Sequence, residues 1–182
     1  MYTRFFTLLI LFFSLGLSAT AQIYGGKKGA VKLTGTAPQE TIVATSSTLK
    51  GKIDAQSMKF NFQQSLDFFS FSQGAMQKKD AEEKYWETDK FPKASFSGII
   101  LNQVDLSKDG VYRVTTKGKF EMHGETKDMK IPATITVRGG QIEVNAKFSI
   151  FLTDFNIEIP RLMSMKVAEE FMVELSLSLE KA

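Results

Sequence analysis

Alternation of apolar and polar residues runs through most of this sequence and restricts the folds open to it. The stretch QIEVNAKFSIFL, residues 141–152, has apolar residues at its even positions, with Glu143, Asn145 and Lys147 between them. EFMVELSLSLE, residues 170–180, is apolar at its odd positions. SMKFNF, GVYRVTTKGKFEM and DMKIPATITV follow the same rule. Because side chains two residues apart share one face of a β-strand, each stretch predicts a strand with one wet face.

Short turn signals separate these strands. Lys108-Asp109-Gly110, His123-Gly124 and Gly139-Gly140 each fall between consecutive alternating runs. Connections of this length favour hairpins, so neighbouring strands are predicted to be antiparallel. Weaker patterns predict four more strands, giving about eight in total; they cover residues 30–36, 40–46, 48–55 and 93–101.

Two segments break the alternation. Residues 72–87 have the composition of a short polar helix or ordered loop, with Met76, Tyr85 and Trp86 as expected anchors. Residues 161–170 follow Pro160 and predict an irregular connection or a single helical turn. Neither segment is large enough to form a second domain, so the length indicates one domain.

Strand length favours a closed barrel over a sandwich. The run from Ile142 to Leu152 would extend roughly 35 Å at about 3.3 Å per residue. After Leu152 the apolar residues move from even to odd positions, at Phe155, Ile157 and Ile159. This switch predicts a bulge or bend near residues 153–154. Long antiparallel strands joined by hairpins favour an all-β barrel of about eight strands. A two-sheet sandwich remains the alternative, since periodicity alone does not distinguish the two.

The first residues predict export. Arg4 precedes an apolar run from Phe5 to Leu17, and Ala19-Thr20-Ala21 provides a small-x-small cleavage signal. The run is shorter than the roughly 20 residues of a membrane-spanning helix. We therefore expect residues 1–21 to be a cleaved signal peptide rather than an anchor, and residues 22–182 to form the barrel domain. With no cysteine, a lipoprotein anchor is not expected.

Little in the sequence predicts catalysis. His123 is the only histidine and there is no cysteine, so multi-histidine and thiolate metal sites are excluded. No Gly-x-Ser-x-Gly turn or Gly-rich phosphate loop is present in residues 22–182. The net charge of +3 comes from interleaved charges, which disfavours nucleic-acid binding. We expect no enzyme activity, no cofactor and no metal.

The order of three motifs resembles the YceI-like family, in particular its Bacteroidetes-type branch. The motifs are Phe91-Pro92-Lys93-Ala94-x-Phe96, the hairpin Gly118-x-Phe120-x-Met122-x-Gly124-x-Thr126-Lys127, and Asp154-Phe155-x-Ile157. The resemblance covers residues 30–180. It implies an extended lipocalin-like barrel with an elongated apolar cavity, a periplasmic or secreted location, and a polyisoprenoid or other long-chain lipid as partner. The segment DAEEKYWETDKFP, residues 80–92, is expected to cover one mouth of that barrel.

We predict the cavity wall from the faces opposite Glu143, Asn145, Lys147 and Glu174. The predicted ligand-binding residues are Phe60, Phe62, Phe120, Val144, Phe148, Ile150, Phe171, Val173 and Leu175. Burying one methylene contributes about 0.8 kcal/mol, so a long apolar ligand needs no charged contact. No stable membrane span is expected, and a homodimer is kept as a hypothesis.

Two further hypotheses stay open. Taken as composition alone, the abundant phenylalanine favours a packed core, in a structural or stress-response barrel that acts through a protein partner. The other hypothesis is an enzyme at the barrel mouth that uses His123 with Asp154. Alternatively, His123 marks only the turn between two strands, where Gly124 takes a positive φ.

Overall fold

Nine antiparallel strands account for most of residues 22–182, the part of the chain that the computed structural model describes. The strands are β1 (Ile23–Thr36), β2 (Thr41–Asp54), β3 (Lys59–Ser65), β4 (Ser70–Phe71), β5 (Lys93–Ile100), β6 (Gly110–Met122), β7 (Glu125–Arg138), β8 (Gln141–Phe151) and β9 (Glu170–Lys181). The predicted signal peptide, residues 1–21, lies outside the described residues.

Eight of these strands close into a barrel. They pair in the order β1-β9-β8-β7-β6-β5-β3-β2, and β2 returns to pair with β1. The short β4 adds only to β2, where Phe71 lies opposite Ala44. The predicted eight-stranded antiparallel barrel is therefore confirmed, and the alternative sandwich is wrong. Closure gives both long edges of the sheet a partner, so no barrel strand is left at an open edge.

The alternation of the sequence sorts side chains between the inside and the outside of the barrel. Across β8 and β9, Ile142 lies opposite Leu179 and Val144 opposite Leu177, and all of these face inward. On the outer face of the same pair of strands, the Nζ of Lys147 lies 2.6 Å from Oε1 of Glu174.

Irregularities in β1 and β2 correct the strand bounds expected from the sequence. The expected strands 40–46 and 48–55 form one continuous strand, β2, and the expected strand 30–36 already begins at Ile23. The register between β1 and β2 shifts between Gly26 and Val31. Such bulges insert extra residues into the pairing and reverse the apolar parity, which hides the continuity of a strand from a simple alternation rule.

The hairpin turns carry left-handed backbone conformations. His123 and Gly124 have φ values of 53° and 76°, and Gly139 and Gly140 have 56° and 81°. Two consecutive positive φ values are typical of the type I′ turn that joins two twisted strands. By contrast, β5 and β6 are joined by the longer connection 101–109. The predicted turn signal Lys108-Asp109-Gly110 lies where this connection meets β6.

The parity change after β8 comes from a helical turn. Leu152–Phe155 form a 3₁₀ turn that ends β8, and Asn156 follows with a φ of 53°. The predicted bend near residues 153–154 is therefore present, and the strand does not continue to Ile157. The segment 161–170 contains the expected single turn, Arg161–Met163.

The expected helix of residues 72–87 is also present. It consists of α1 (Ala75–Asp80) followed by a π-helical turn, Ala81–Tyr85. Trp86 is buried and Tyr85 is half-buried, but Met76 is 80% exposed and is not an anchor. Among residues 22–182, no helix has the length and apolar character needed to cross a membrane.

The two ends of the barrel differ. We call the end that carries the His123–Gly124 turn the upper end, together with the connections 37–40, 66–92 and 152–169. The lower end is closed by tight packing. Ile142 and Leu179 are 0% exposed, Val137 and Ile53 are 1% exposed, and Leu106 of the 101–109 connection is 2% exposed. The interior of the barrel is therefore filled at its lower end.

Candidate functional site

The upper half of the barrel encloses a narrow, almost wholly apolar cavity of about 110 Å³. All eight barrel strands contribute side chains to its wall. Aromatic rings follow one another around it, with centroid distances of 4.9 Å from Phe60 to Phe96, 6.1 Å from Phe96 to Phe120, and 6.1 Å from Phe120 to Phe148. None of the tightly packed lower-end residues named above contributes to this wall.

Most of the residues predicted as ligand-binding lie on this wall. Eight of the nine do so, namely Phe60, Phe62, Phe120, Val144, Phe148, Ile150, Val173 and Leu175. The ninth, Phe171, lies in the wall of a second space above the cavity. The expected inward faces of β8 and β9 are thus brought together, and contact of these residues with a ligand stays a prediction.

The second space, which we call the vestibule, lies at the upper end between α1, the start of β2 and residues 163–171. Its volume is about 350 Å³. Leu33 and Trp86 belong to the walls of both the cavity and the vestibule, so they form the boundary between the two. The vestibule is more polar, because Glu40, Asp80 and Lys166 lie in its wall.

Trp86 separates the cavity from the vestibule. Its ring centroid lies 5.4 Å from that of Phe69, in an edge-on arrangement, and 5.5 Å from that of Phe71. Both partners come from the same connection, residues 66–92, that carries α1. The expectation that residues 80–92 cover one mouth therefore agrees with the position of Trp86. Burial raises the pKa of the neighbouring Tyr85 phenol, which lies in the vestibule wall.

Sequence reasoning missed several wall residues. Phe69 and Trp86 come from an irregular connection, where no periodicity reports which way a side chain points. Gln64 could have been found, because it continues the even parity of Phe60 and Phe62 in β3. A glutamine is not typical of an apolar wall, yet Gln64 is only 7% exposed.

His123 lies in the β6–β7 turn and contacts two other upper-end connections, 66–92 and 152–169. Its Nδ1 lies 2.9 Å from the carbonyl oxygen of Phe155, and its Nε2 lies 3.0 Å from Oε2 of Glu87. The ring packs against Phe91, with 4.6 Å between centroids. Both partners are hydrogen-bond acceptors, so each ring nitrogen is oriented toward an oxygen of another connection.

This geometry revises the roles considered for His123. The predicted hairpin position is correct, but both ring nitrogens are engaged in holding loops. Asp154, the partner in the enzyme hypothesis, instead has its Oδ1 3.6 Å from Nζ of Lys127. Hydrogen bonds from Lys90 and then from His123 hold the pKa of the Glu87 carboxyl below its usual range. In the described part of the chain, no group of three or more His, Asp or Glu side chains could hold a metal ion.

The comparison with protein families identifies one match, and it covers nearly the whole chain. The model described as a YceI-like domain matches residues 18–179. No match was found among curated proteins.

Solved structures share the barrel at low sequence identity. A polyisoprenoid binding domain from Saccharophagus degradans, implicated in plant cell wall breakdown, is 13% identical, covers 90% of this chain and 100% of its own, and superposes with a TM-score of 0.74. Burkholderia cenocepacia BcnA is 18% identical over 82% of this chain and 95% of its own, with a TM-score of 0.62. A Campylobacter jejuni YCEI protein is 13% identical over 99% and 100%, with a TM-score of 0.56. At these identities the likeness concerns the fold.

Proposed function

Since the chain belongs to the YceI-like family, we propose that it is an exported lipid-binding protein that holds a polyisoprenoid or similar long-chain amphiphile in its barrel. The observation that carries this proposal is the apolar cavity of the upper half, closed below by packed side chains and separated from the vestibule by Trp86. The binding of polyisoprenoid by a structurally similar domain supports the choice of ligand class.

The energetics of burial favour such a ligand. Each methylene transferred from water contributes about 0.8 kcal/mol, so ten to fifteen carbons contribute about 8–12 kcal/mol, which is comparable with the roughly 4–15 kcal/mol cost of association. The cavity of about 110 Å³ is smaller than the roughly 300–1,000 Å³ of typical ligand pockets. A long chain therefore requires the wall to widen.

Export belongs to the same proposal. The basic, apolar and small-residue order of residues 1–21 supports delivery of the domain to the periplasm or the exterior. A protein that sequesters apolar chains there would not need catalytic groups, and we assign none to His123. Expression of the full chain, followed by N-terminal sequencing of the exported form, tests this part. A mature N-terminus at Gln22 supports it, and retention of Arg4 contradicts it.

Lipid extraction from the purified protein tests the proposed ligand. We expect mass spectrometry of the extract to contain a long-chain isoprenoid or similar amphiphile in stoichiometric amount. Native mass spectrometry of the same sample gives the ligand mass and the subunit count, which also tests the homodimer hypothesis. Absence of any long-chain species, together with failure of added isoprenoids to bind, would refute the proposal.

A cavity-filling variant makes the test specific. Ala146 lies in the cavity wall on the inward face of β8, and Ser149 lies on the outward face of the same strand. Ala146→Leu should occupy part of the narrow space and exclude lipid, whereas Ser149→Leu adds a similar side chain outside and should retain it. Equal lipid content in two folded variants would place the ligand elsewhere.

The rival function, a barrel that acts through a protein partner, rests on a separate observation. Phe68, Met76 and Leu162 are exposed, and all three belong to upper-end connections. If extraction yields no lipid and Ala146→Leu is poorly tolerated because the interior is filled, this second candidate is favoured.

A further inference from the structure

Two buried side-chain acceptors have no hydrogen-bond partner within residues 22–182. They are the Oε1 atoms of Gln64 and Gln77. Gln64 lies in the wall of the cavity and Gln77 in the wall of the vestibule. Buried carbonyl oxygens are nearly always paired in folded proteins, and leaving one unpaired is costly. Both unpaired atoms belong to residues that line one of the two neighbouring spaces.

The orientation of the Gln64 amide is fixed by its nitrogen. Nε2 donates to the carbonyl oxygen of Ser65 at 2.6 Å, and lies 2.9 Å from the hydroxyl oxygens of Ser46 and Thr48. A backbone carbonyl only accepts, so the nitrogen must occupy this position and Oε1 is directed away from it. Ser46 and Thr48 lie where β2 shifts its register against β1. The nitrogen of Gln64 thus stabilises the irregular part of β2, and its oxygen is left without a donor.

Resting on the function proposed above, we infer that the ligand carries a neutral hydrogen-bond donor, and that this group donates to Oε1 of Gln64. The class of ligand is a long-chain alcohol: its hydroxyl supplies the missing donor, and its hydrocarbon chain occupies the apolar wall. Gln64 is 7% exposed, so water competes poorly for its oxygen and the hydrogen bond is formed in a medium of low polarity.

The surrounding charges disfavour an anionic headgroup. A phosphate or carboxylate presents only acceptors, which would face another acceptor at Gln64. In the vestibule, through which such a headgroup would pass, the wall carries the carboxylates of Glu40 and Asp80 and the ammonium group of Lys166. Asp80 is itself paired with Lys84 at 2.7 Å, and Glu40 accepts from Nε2 of Gln77 at 2.7 Å. Neither wall contains an arginine that could form a bidentate hydrogen bond with a phosphate.

The fluorescence of Trp86 provides the assay. It is the only tryptophan in the sequence and it lies at the boundary of the cavity. The exported protein, stripped of lipid, is titrated with a C20 isoprenoid alcohol, its methyl ether and its monophosphate. The ether keeps the chain and the oxygen but lacks the donor hydrogen. We expect the alcohol to bind about tenfold more tightly than either derivative, as satisfying one buried acceptor would give.

Two matched variants locate the acceptor. Gln64→Met replaces the amide by an apolar chain of similar length, and should bring the alcohol and the ether within about twofold of each other. Gln77→Met removes the other unpaired acceptor and should keep the tenfold preference. If Gln64→Met does not fold, Gln77→Met still tests the inference: loss of the preference overturns it, and persistence excludes the only other unpaired buried acceptor among the described side chains.

The outcomes separate this inference from the proposed function. Equal binding of the alcohol and the ether overturns the inference and leaves lipid binding intact. A preference that disappears in Gln77→Met moves the headgroup to the vestibule and also overturns it. Tighter binding of the monophosphate overturns it as well. If none of the three compounds binds, the proposed function fails together with the inference.

Discussion

Replacement of Phe148 by alanine distinguishes a ligand cavity from a packed core. Phe148 lies in the cavity wall and is only half-buried, whereas Phe155 is 1% exposed and is not part of that wall. Both rings contact the same neighbour, Phe120, at centroid distances of 6.1 Å and 5.5 Å. Phe155→Ala is therefore a matched control, with the same chemical change beside the same ring.

The expected magnitudes differ because only one of the two sites is already beside empty space. Phe155→Ala creates a new cavity in close-packed surroundings and should lower the free energy of unfolding by about 3–5 kcal/mol. Phe148→Ala loses the contact with Phe120, about 0.5–1.5 kcal/mol, and only part of the burial term, so we expect about 1–2 kcal/mol in total.

Urea unfolding, followed by circular dichroism, measures both values on lipid-free protein. The slope against denaturant should be the same for both variants, which confirms that the unfolding transition is comparable. In a second measurement, folded Phe148→Ala should retain less lipid than the wild type. Equal destabilisation by the two replacements, with lipid content unchanged, would refute the assignment of Phe148 to a ligand cavity.

Three further predictions concern the scaffold around the cavity. Gly98 lies opposite Gly118 in the β5–β6 pair, and a Cβ on Gly98 would come within 2.1 Å of the carbonyl oxygen of Lys117. Gly98→Ala should therefore separate the two strands and lower the free energy of unfolding by about 1–3 kcal/mol, as measured by thermal or chemical unfolding. An unchanged unfolding midpoint would contradict the close approach. Gly124→Ala should cost about 1–2 kcal/mol, because it combines a positive φ with a clash against the Phe91 ring at 2.8 Å; a loss no larger than that of an exposed strand substitution would contradict it. Because the pKa of Glu87 is lowered in the folded state, its stabilising effect is present above about pH 4.3 and is lost as the pH falls through the lowered value. Unfolding measured over a pH series should show the difference between wild type and Glu87→Gln narrowing in acid, and a constant difference would show that the contacts of Glu87 with Lys90 and His123 do not stabilise the fold.

The turn at His123 illustrates how far sequence reasoning reaches. Its place between two alternating runs predicts a hairpin, and β6 and β7 form that hairpin around residues 123 and 124. Both residues have positive φ, although only Gly124 was expected to. The contacts of His123 with Glu87 and Phe155 join positions more than 30 residues away along the chain, so no local pattern could report them.

What the sequence alone determined is the set of strands and their faces. Period-two alternation is a local property, because each residue's side must alternate with that of its neighbour in any strand. It was sufficient to predict the strands, the inward faces of β8 and β9, and eight residues of the cavity wall, whereas strand length and hairpin connections favoured an antiparallel barrel over a sandwich. It failed where β1 and β2 contain irregularities, because a bulge reverses parity without ending the strand.

What only the tertiary structure decided is where the inward side chains leave space. The same alternating pattern fills the lower half, around Ile142 and Leu179, and lines a cavity in the upper half, around Phe148. The difference depends on how eight strands and the 66–92 and 101–109 connections converge, which is a property of distant contacts. The unpaired oxygen of Gln64 has the same origin, because its nitrogen is held by Ser46 and Thr48 of another strand. Strand faces follow from neighbouring residues, whereas enclosed space and unmet hydrogen bonds follow from residues that meet only after folding.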